Sequence, residues 1–99
     1  MALIYHITTK QEWQKAKASG HYSAPSLKEE GFIHCSEETQ VSGVVERYYR
    51  GKKDLVKLAI DAEKLKSELK YEWAPSVNEQ FPHVYGCINT DAVTAVAEI

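Results

Sequence analysis

Three of the four histidines stand inside short apolar segments: His6 in Ile-Tyr-His-Ile-Thr, His34 in Phe-Ile-His-Cys-Ser and His83 in Phe-Pro-His-Val-Tyr-Gly. An imidazole titrates near neutral pH, so it can move a proton or hold a substrate by hydrogen bonds. In an apolar segment its ring nitrogens must find partners or face a cleft. One such histidine is ordinarily a satisfied core residue. Three in three separate segments point toward a shared polar cleft. Extended chain alternates its faces, which puts His6 with Ile4 and Thr8, His34 with Phe32 and Ser36, and His83 with Phe81 and Tyr85. Glu72 and Glu79, near His83 in the chain, could supply a carboxylate, although each could equally be a solvated charge. Tyr5, Tyr71 and Tyr85 could add aromatic walls with polar tips, although packing is the plainer use of Tyr5 and Tyr85. Such a set suits a ligand with a flat base and hydroxyl groups.

A metal site would draw on the same residues: His6, His34, His83 and a glutamate, or Cys35 and Cys87. The chain has no C-x-x-C, H-E-x-x-H or H-x-H spacing, so that signal is weak. Cys35 follows His34 directly, and neighbours on a strand point to opposite faces, which argues against a cysteine–histidine nucleophile. Absence of G-x-G-x-x-G, P-loop and G-x-S-x-G patterns removes support for Rossmann, P-loop and α/β-hydrolase activities.

The elements that must position these residues are short. Residues 2–8 read as a strand. Thr9 and Glu12 form a capping box for a helix with Trp13 and Ala16 on its apolar side, stopped at Gly20. His21-Tyr22 is briefly extended. Ser26 and Glu29 suggest a second capping box, with a single helical turn over 27–30 closed by Gly31. Residues 32–35 read as a strand. Ser36 is expected to cap a helix whose stripe is Val41, Val44, Val45, Tyr48 and Tyr49. Arg47, Arg50, Lys52 and Lys53 gather at its negative end, where dipole and solvation explain them better than phosphate binding does. Strands follow at 54–60 and 69–73, with Asp61 capping a turn between them and Pro75 ending the second. An extended segment runs from Phe81 to Ile88, broken at Gly86, and a terminal strand follows Asp91. Two helices among five or six strands imply an α+β domain with a curved sheet.

With 99 residues, residues 1–99 are expected to form a single domain. Area scaling gives about 5,700 Å² of folded surface and leaves little room for a deep cavity. With 43% hydrophobic and 26% charged residues the chain is ordinary globular material rather than disordered. A net charge of −2 gives no support to duplex nucleic-acid binding. No 18-residue apolar run is present, so no membrane span is expected. The start, Met1 to His6, lacks the features of a secretion signal. A cytoplasmic location is therefore expected, with Cys35 and Cys87 as reduced, buried thiols.

Several blocks together carry a resemblance: Ile4-Tyr5-His6-Ile7-Thr8, Trp13 and Ala16, Gly31-Phe32-Ile33-His34-Cys35-Ser36, Leu58 to Asp61, and Glu79-x-Phe81-Pro82-His83-x-Tyr85-Gly86. Over nearly its whole length the chain resembles the small bacterial domain-of-unknown-function family numbered 952, which is grouped distantly with the ADP-ribosyltransferase superfamily. That kinship implies a compact, split, curved and mostly antiparallel sheet with two or three helices, gripping NAD between its halves. It implies a three-strand catalytic set in which His6 holds the nicotinamide-side ribose, His34 takes the second position, and Glu79 the third, with Glu72 or His83 as alternatives there. Tyr5, Thr8, Ser36, Glu72, His83 and Tyr85 would bind substrate. The activity implied is a glycosyl-type transfer with NAD as substrate and no metal. A non-catalytic nucleotide-binding or interaction module and a metal-dependent hydrolase are the alternatives.

Overall fold

A computed structural model describes residues 2–99, with Met1 outside the described residues. The chain runs β1 (Leu3–Thr9), α1 (Lys10–Ser19), β2 (His21–Tyr22), α2 (Pro25–Glu30), β3 (Ile33–His34), a 3-10 turn (Glu38–Gln40), α3 (Val41–Tyr48), β4 (Leu55–Asp61), a second 3-10 turn (Ala62–Lys64), β5 (Glu68–Ala74), β6 (Glu79–Tyr85), β7 (Ile88–Asn89), a third 3-10 turn (Thr90–Ala92) and β8 (Val93–Glu98). The class is α+β, as expected. Every strand pair is antiparallel, in the orders β1-β4-β8, β3-β6-β5 and β2-β7.

The split between the two larger sheets is narrow. Tyr5 N–H donates to Ser36 O at 2.8 Å, and Ser36 N–H donates back to Tyr5 O at 2.7 Å. This one reciprocal pair ties the middle of β1 to the chain just past β3. It brings the His6 and His34 segments side by side.

The register explains the core. Directly opposite residues of an antiparallel pair share a face. Ile4 lies opposite Ile60 and His6 opposite Leu58, so His6 is on the core-facing side of its sheet. Ile33 lies opposite Val84, and Val84 opposite Leu69, which gives the second sheet its apolar face. Ile4, Leu58, Ile60, Ile33, Val84 and Ile88 are fully excluded from solvent. Trp13 and Ala16 of α1 close the same cluster. Burying each large aliphatic side chain contributes about 1.5–3 kcal/mol.

Caps set the helix limits, and two differ from expectation. Thr9 does cap α1, its side chain accepting from Glu12 N–H, and Gly20 ends the helix at φ 90°. Ser26 is not a cap. α2 starts two residues earlier than expected at Pro25, behind Ala24, because proline at the first helical position has no N–H needing a partner. Ser36 is not a cap either, since its backbone is committed to Tyr5. Glu37 takes the role instead, in a capping box with Gln40 that opens a 3-10 turn before α3. The expected longer helix is thus shortened at its start by a strand contact.

Candidate functional site

His6 sits at the base of the site and is buried. Its Nδ1 lies 2.6 Å from the backbone oxygen of His34, which can only accept, so Nδ1 carries a proton. Burial pushes the imidazole pKa down from 6.5 to about 4, so the ring is neutral at pH 7. Nε2 is then an acceptor, and the Tyr22 hydroxyl, 2.8 Å away, donates to it. Tyr22 has only one proton, so the Thr8 hydroxyl, 3.0 Å away, donates to the Tyr22 oxygen. Burial pushes the Tyr22 phenol up to about 12 and keeps it protonated. Both ring nitrogens of His6 are thus engaged inside the protein. The chain Thr8–Tyr22–His6–His34 fixes β2 and β3 against β1.

His34 and His83 are register partners on β3 and β6, and their rings meet edge to face at 5.2 Å. Each is oriented by a glutamate. Glu30 closes α2, and Gly31 follows in the left-handed conformation at φ 91°. That turn brings Glu30 Oε2 to 2.9 Å from His34 Nε2. Glu72 stands opposite Phe81 on β5, and its Oε1 accepts from His83 Nδ1, two positions along, at 2.8 Å. The Tyr85 hydroxyl donates to the same oxygen. The Tyr85 and His83 hydrogen bonds hold the Glu72 carboxyl below its usual range, and the Tyr85 phenol is raised in turn. Phe32 stacks on His83 with centroids 4.1 Å apart. With Nδ1 on Glu72, His83 Nε2 has no hydrogen-bond partner among the described residues.

A cleft of about 500 Å³ opens over these groups. His6, His34, Cys35 and Ser36 form its floor, Val44 and Tyr48 of α3 with Tyr49 just after it form one wall, and Phe81 and His83 with the 74–77 turn form the other. Glu30 is its single carboxylate. The Tyr49 hydroxyl donates to Ile7 O at 3.2 Å, which fixes α3 against β1. A smaller cleft of about 300 Å³ shares His6, Ile7, His34 and Tyr49 with the first and adds Thr8, Glu12 and Tyr22. The larger cleft draws its lining from β1 of one sheet, from β3 and β6 of another, and from α3.

The structure therefore brings together His6, His34, Ser36 and His83 at the larger cleft, and Thr8 at the smaller. Four expected residues do not line either. Glu79 lies outside, where Gln40 Nε2 donates to its Oε1 at 3.1 Å and to Gln80 O at 2.8 Å, pinning the 3-10 turn before α3 to β6. Tyr5 alternates to the other face of β1, with Lys57 Nζ 5.2 Å from its ring. Glu72 and Tyr85 stand behind His83, as its supports. Sequence reasoning missed Glu30, whose signal was its place four residues before His34 across a glycine. It placed Tyr48 and Tyr49 on the apolar stripe of the helix and gave them no part in the site, although α3 has no fully buried residue and both tyrosines line the cleft. Cys35 is buried, and burial pushes its thiol up to about 12. Among the described residues, no three His, Cys, Asp or Glu side chains gather to hold a metal. No helix among them is long and apolar enough to cross a membrane.

A model of the family described as "Protein of unknown function (DUF952)" matches residues 7–96. The chain belongs to this family. Protein CC0527 from Caulobacter crescentus, a structural-genomics target, is similar in crystal structure: 38% identical, with a TM-score of 0.86 over 98% of this chain and 85% of that one. The solution structure of CC0527 gives 36% identity and a TM-score of 0.83 over 100% and 85%. No match was found among curated proteins. The DUF952 chain thus shares the architecture of its structural relatives, and their names carry no activity.

Proposed function

We propose that this DUF952 domain binds a small nucleotide of the NAD or ADP-ribose kind in the cleft between α3 and β6. The observation that supports the reading is the meeting of His34, His83 and Ser36 with Tyr48, Tyr49 and Phe81 around about 500 Å³. The aromatic walls suit a flat ring, and the open Nε2 of His83 suits a ribose hydroxyl. His6 is a positioning residue in this reading, because its nitrogens are already used.

Glu30 favours a second, more demanding reading, in which NAD is a substrate for ADP-ribosyl transfer. Breaking the nicotinamide glycosidic bond builds positive charge on the ribose, which a nearby carboxylate stabilises. Glu30 is the carboxylate of the cleft, so it takes the role first expected of Glu79.

The test is the thermal midpoint with NAD, ADP-ribose, AMP, nicotinamide and a 2′-phosphorylated dinucleotide. At one hundred times its dissociation constant a ligand adds about 2.7 kcal/mol, a rise of roughly 10 °C or more for this size. NAD or ADP-ribose should give that rise and His83→Ala should abolish it. No rise with any member of the panel would refute the nucleotide reading. Release of nicotinamide by the chain but not by Glu30→Gln would establish cleavage of the glycosidic bond, and ADP-ribose recovered on an added nucleophilic acceptor rather than on water would establish the transfer reading.

A further inference from the structure

Three polar atoms on the residues of the larger cleft have no partner inside the protein. Ser36 is 5% exposed and lines the cleft, and its hydroxyl makes no hydrogen bond among the described residues. No fully enclosed polar side-chain atom lacks a partner among them, so the Ser36 oxygen keeps a path to solvent. His34 gives Nε2 to Glu30, and its Nδ1 has no partner among the described residues. His83 gives Nδ1 to Glu72, and its Nε2 has none. Neighbouring groups are already committed: both nitrogens of His6, and the Tyr49 hydroxyl to Ile7 O.

The two glutamates decide what the free nitrogens are. A carboxylate only accepts, so in a neutral imidazole the proton sits on the nitrogen that faces it. His34 is then protonated at Nε2 and His83 at Nδ1, and the free nitrogen of each is an acceptor. Two acceptors call for a ligand with two neighbouring donors, and the Ser36 hydroxyl can donate to that ligand in return. The rings stand 5.2 Å apart between centroids, and two adjacent hydroxyls, each bonded over about 2.8 Å, bridge such a gap. An ionised phosphate would bring acceptors to acceptors.

We infer that His34 and His83 together hold the two hydroxyls of a cis-diol, with Ser36 as the third contact, so that the cleft takes a ribose whose 2′ and 3′ hydroxyls are both free and discriminates against its deoxy forms. The inference rests on the nucleotide reading for the ligand class and assigns the part of the ligand that these side chains read. Glu30 and Glu72 are positioning residues, which fix the two tautomers.

Adenosine, 2′-deoxyadenosine and 3′-deoxyadenosine differ only in the diol, and NMR titrations of the full chain at pH 8 give their affinities. Adenosine should bind at least ~10-fold more tightly than either deoxy form, since each missing hydroxyl leaves one imidazole unpaired. His34→Phe and His83→Phe keep a ring beside Phe32 and should each bring adenosine down to the level of its deoxy forms. Ser36→Ala keeps both backbone bonds to Tyr5 and should weaken adenosine about 5-fold. The natural chain gives a readout that does not depend on how a variant folds. Its ring nitrogen signals should show the proton on Nε2 of His34 and on Nδ1 of His83, with both free nitrogens shifting as adenosine is added. The opposite tautomers, no binding of adenosine, equal affinities for the three nucleosides, full affinity in Ser36→Ala, or a preference that survives both phenylalanine variants would overturn the inference. NAD titrated in parallel separates the two claims. Diol discrimination without NAD binding removes the NAD reading and leaves a nucleoside site, and NAD binding without diol discrimination removes the inference alone.

Discussion

His6 makes the stability of this domain depend on pH in a way that can be worked out beforehand. Its folded-state pKa is about 4, against 6.5 when unfolded, and the cause is burial among Leu58, Tyr22 and the His34 backbone. The unfolded chain therefore binds the proton more readily, so stability rises with pH through this window. The contribution is fully present above pH 6.5 and is lost as pH falls toward 4. Two and a half units of separation correspond to a loss of about 2 kcal/mol by pH 5 and about 3 kcal/mol by pH 4. Urea denaturation at intervals from pH 7.5 to 4 measures it. Exposed carboxylates titrate in the same range, so the reading is the difference between the natural chain and His6→Gln, whose side chain is uncharged. His6→Gln should be less stable at pH 7 by about 2–4 kcal/mol, from the disturbed bonds to Tyr22 and the His34 carbonyl. The difference between the two chains should shrink steadily on acidification. Parallel pH curves would refute the buried, neutral imidazole and with it the hydrogen-bond chain from Thr8 to His34.

Other consequences of the geometry are open to separate tests. Tyr85→Phe removes the largest influence holding down the Glu72 carboxyl, so the Glu72 titration followed by carbon NMR should move to higher pH. Leu58→Ala empties a fully buried site between two sheets and should cost about 2–5 kcal/mol in chemical denaturation. In the folded chain at pH 8 a thiol reagent should modify Cys87, which is partly exposed, while Cys35, buried and raised to about 12, reacts only on unfolding.

The fold was legible wherever local chemistry decided it. Thr9, Gly20, Gly31, Asp61 and Pro75 punctuate the chain where side-chain caps, left-handed turns and the missing proline N–H require, and those boundaries held. It was not legible where a distant contact overrode a local preference. Ser36 reads as a cap by composition, yet its backbone is spent on Tyr5, thirty-one positions away, and the helix has to start later. The site divides in the same way. Strand alternation correctly sorted His6, His34 and His83 to faces, but alternation says nothing of how far apart two faces lie. Only the register of β3 on β6 shows that His34 meets His83, and only the diagonal from Glu72 to His83 shows that Glu72 supports a histidine instead of lining the cleft. Glu79 looked suitable by proximity in sequence, and Gln40, from the far side of the chain, holds it elsewhere. The basic group Arg47, Arg50, Lys52 and Lys53 kept its plain reading, with Arg50 paired to Glu46 and no arginine or lysine in the cleft lining.

One titration addresses the nucleotide cleft most directly: NAD added to the isotopically labelled chain, with the backbone and histidine ring signals followed by NMR. Shifts should concentrate on Glu30, His34, Ser36, Tyr49, Phe81 and His83, should saturate, and should vanish in His83→Ala. Signals that do not move, or that move only on the outer face of β4 and β8, would contradict it.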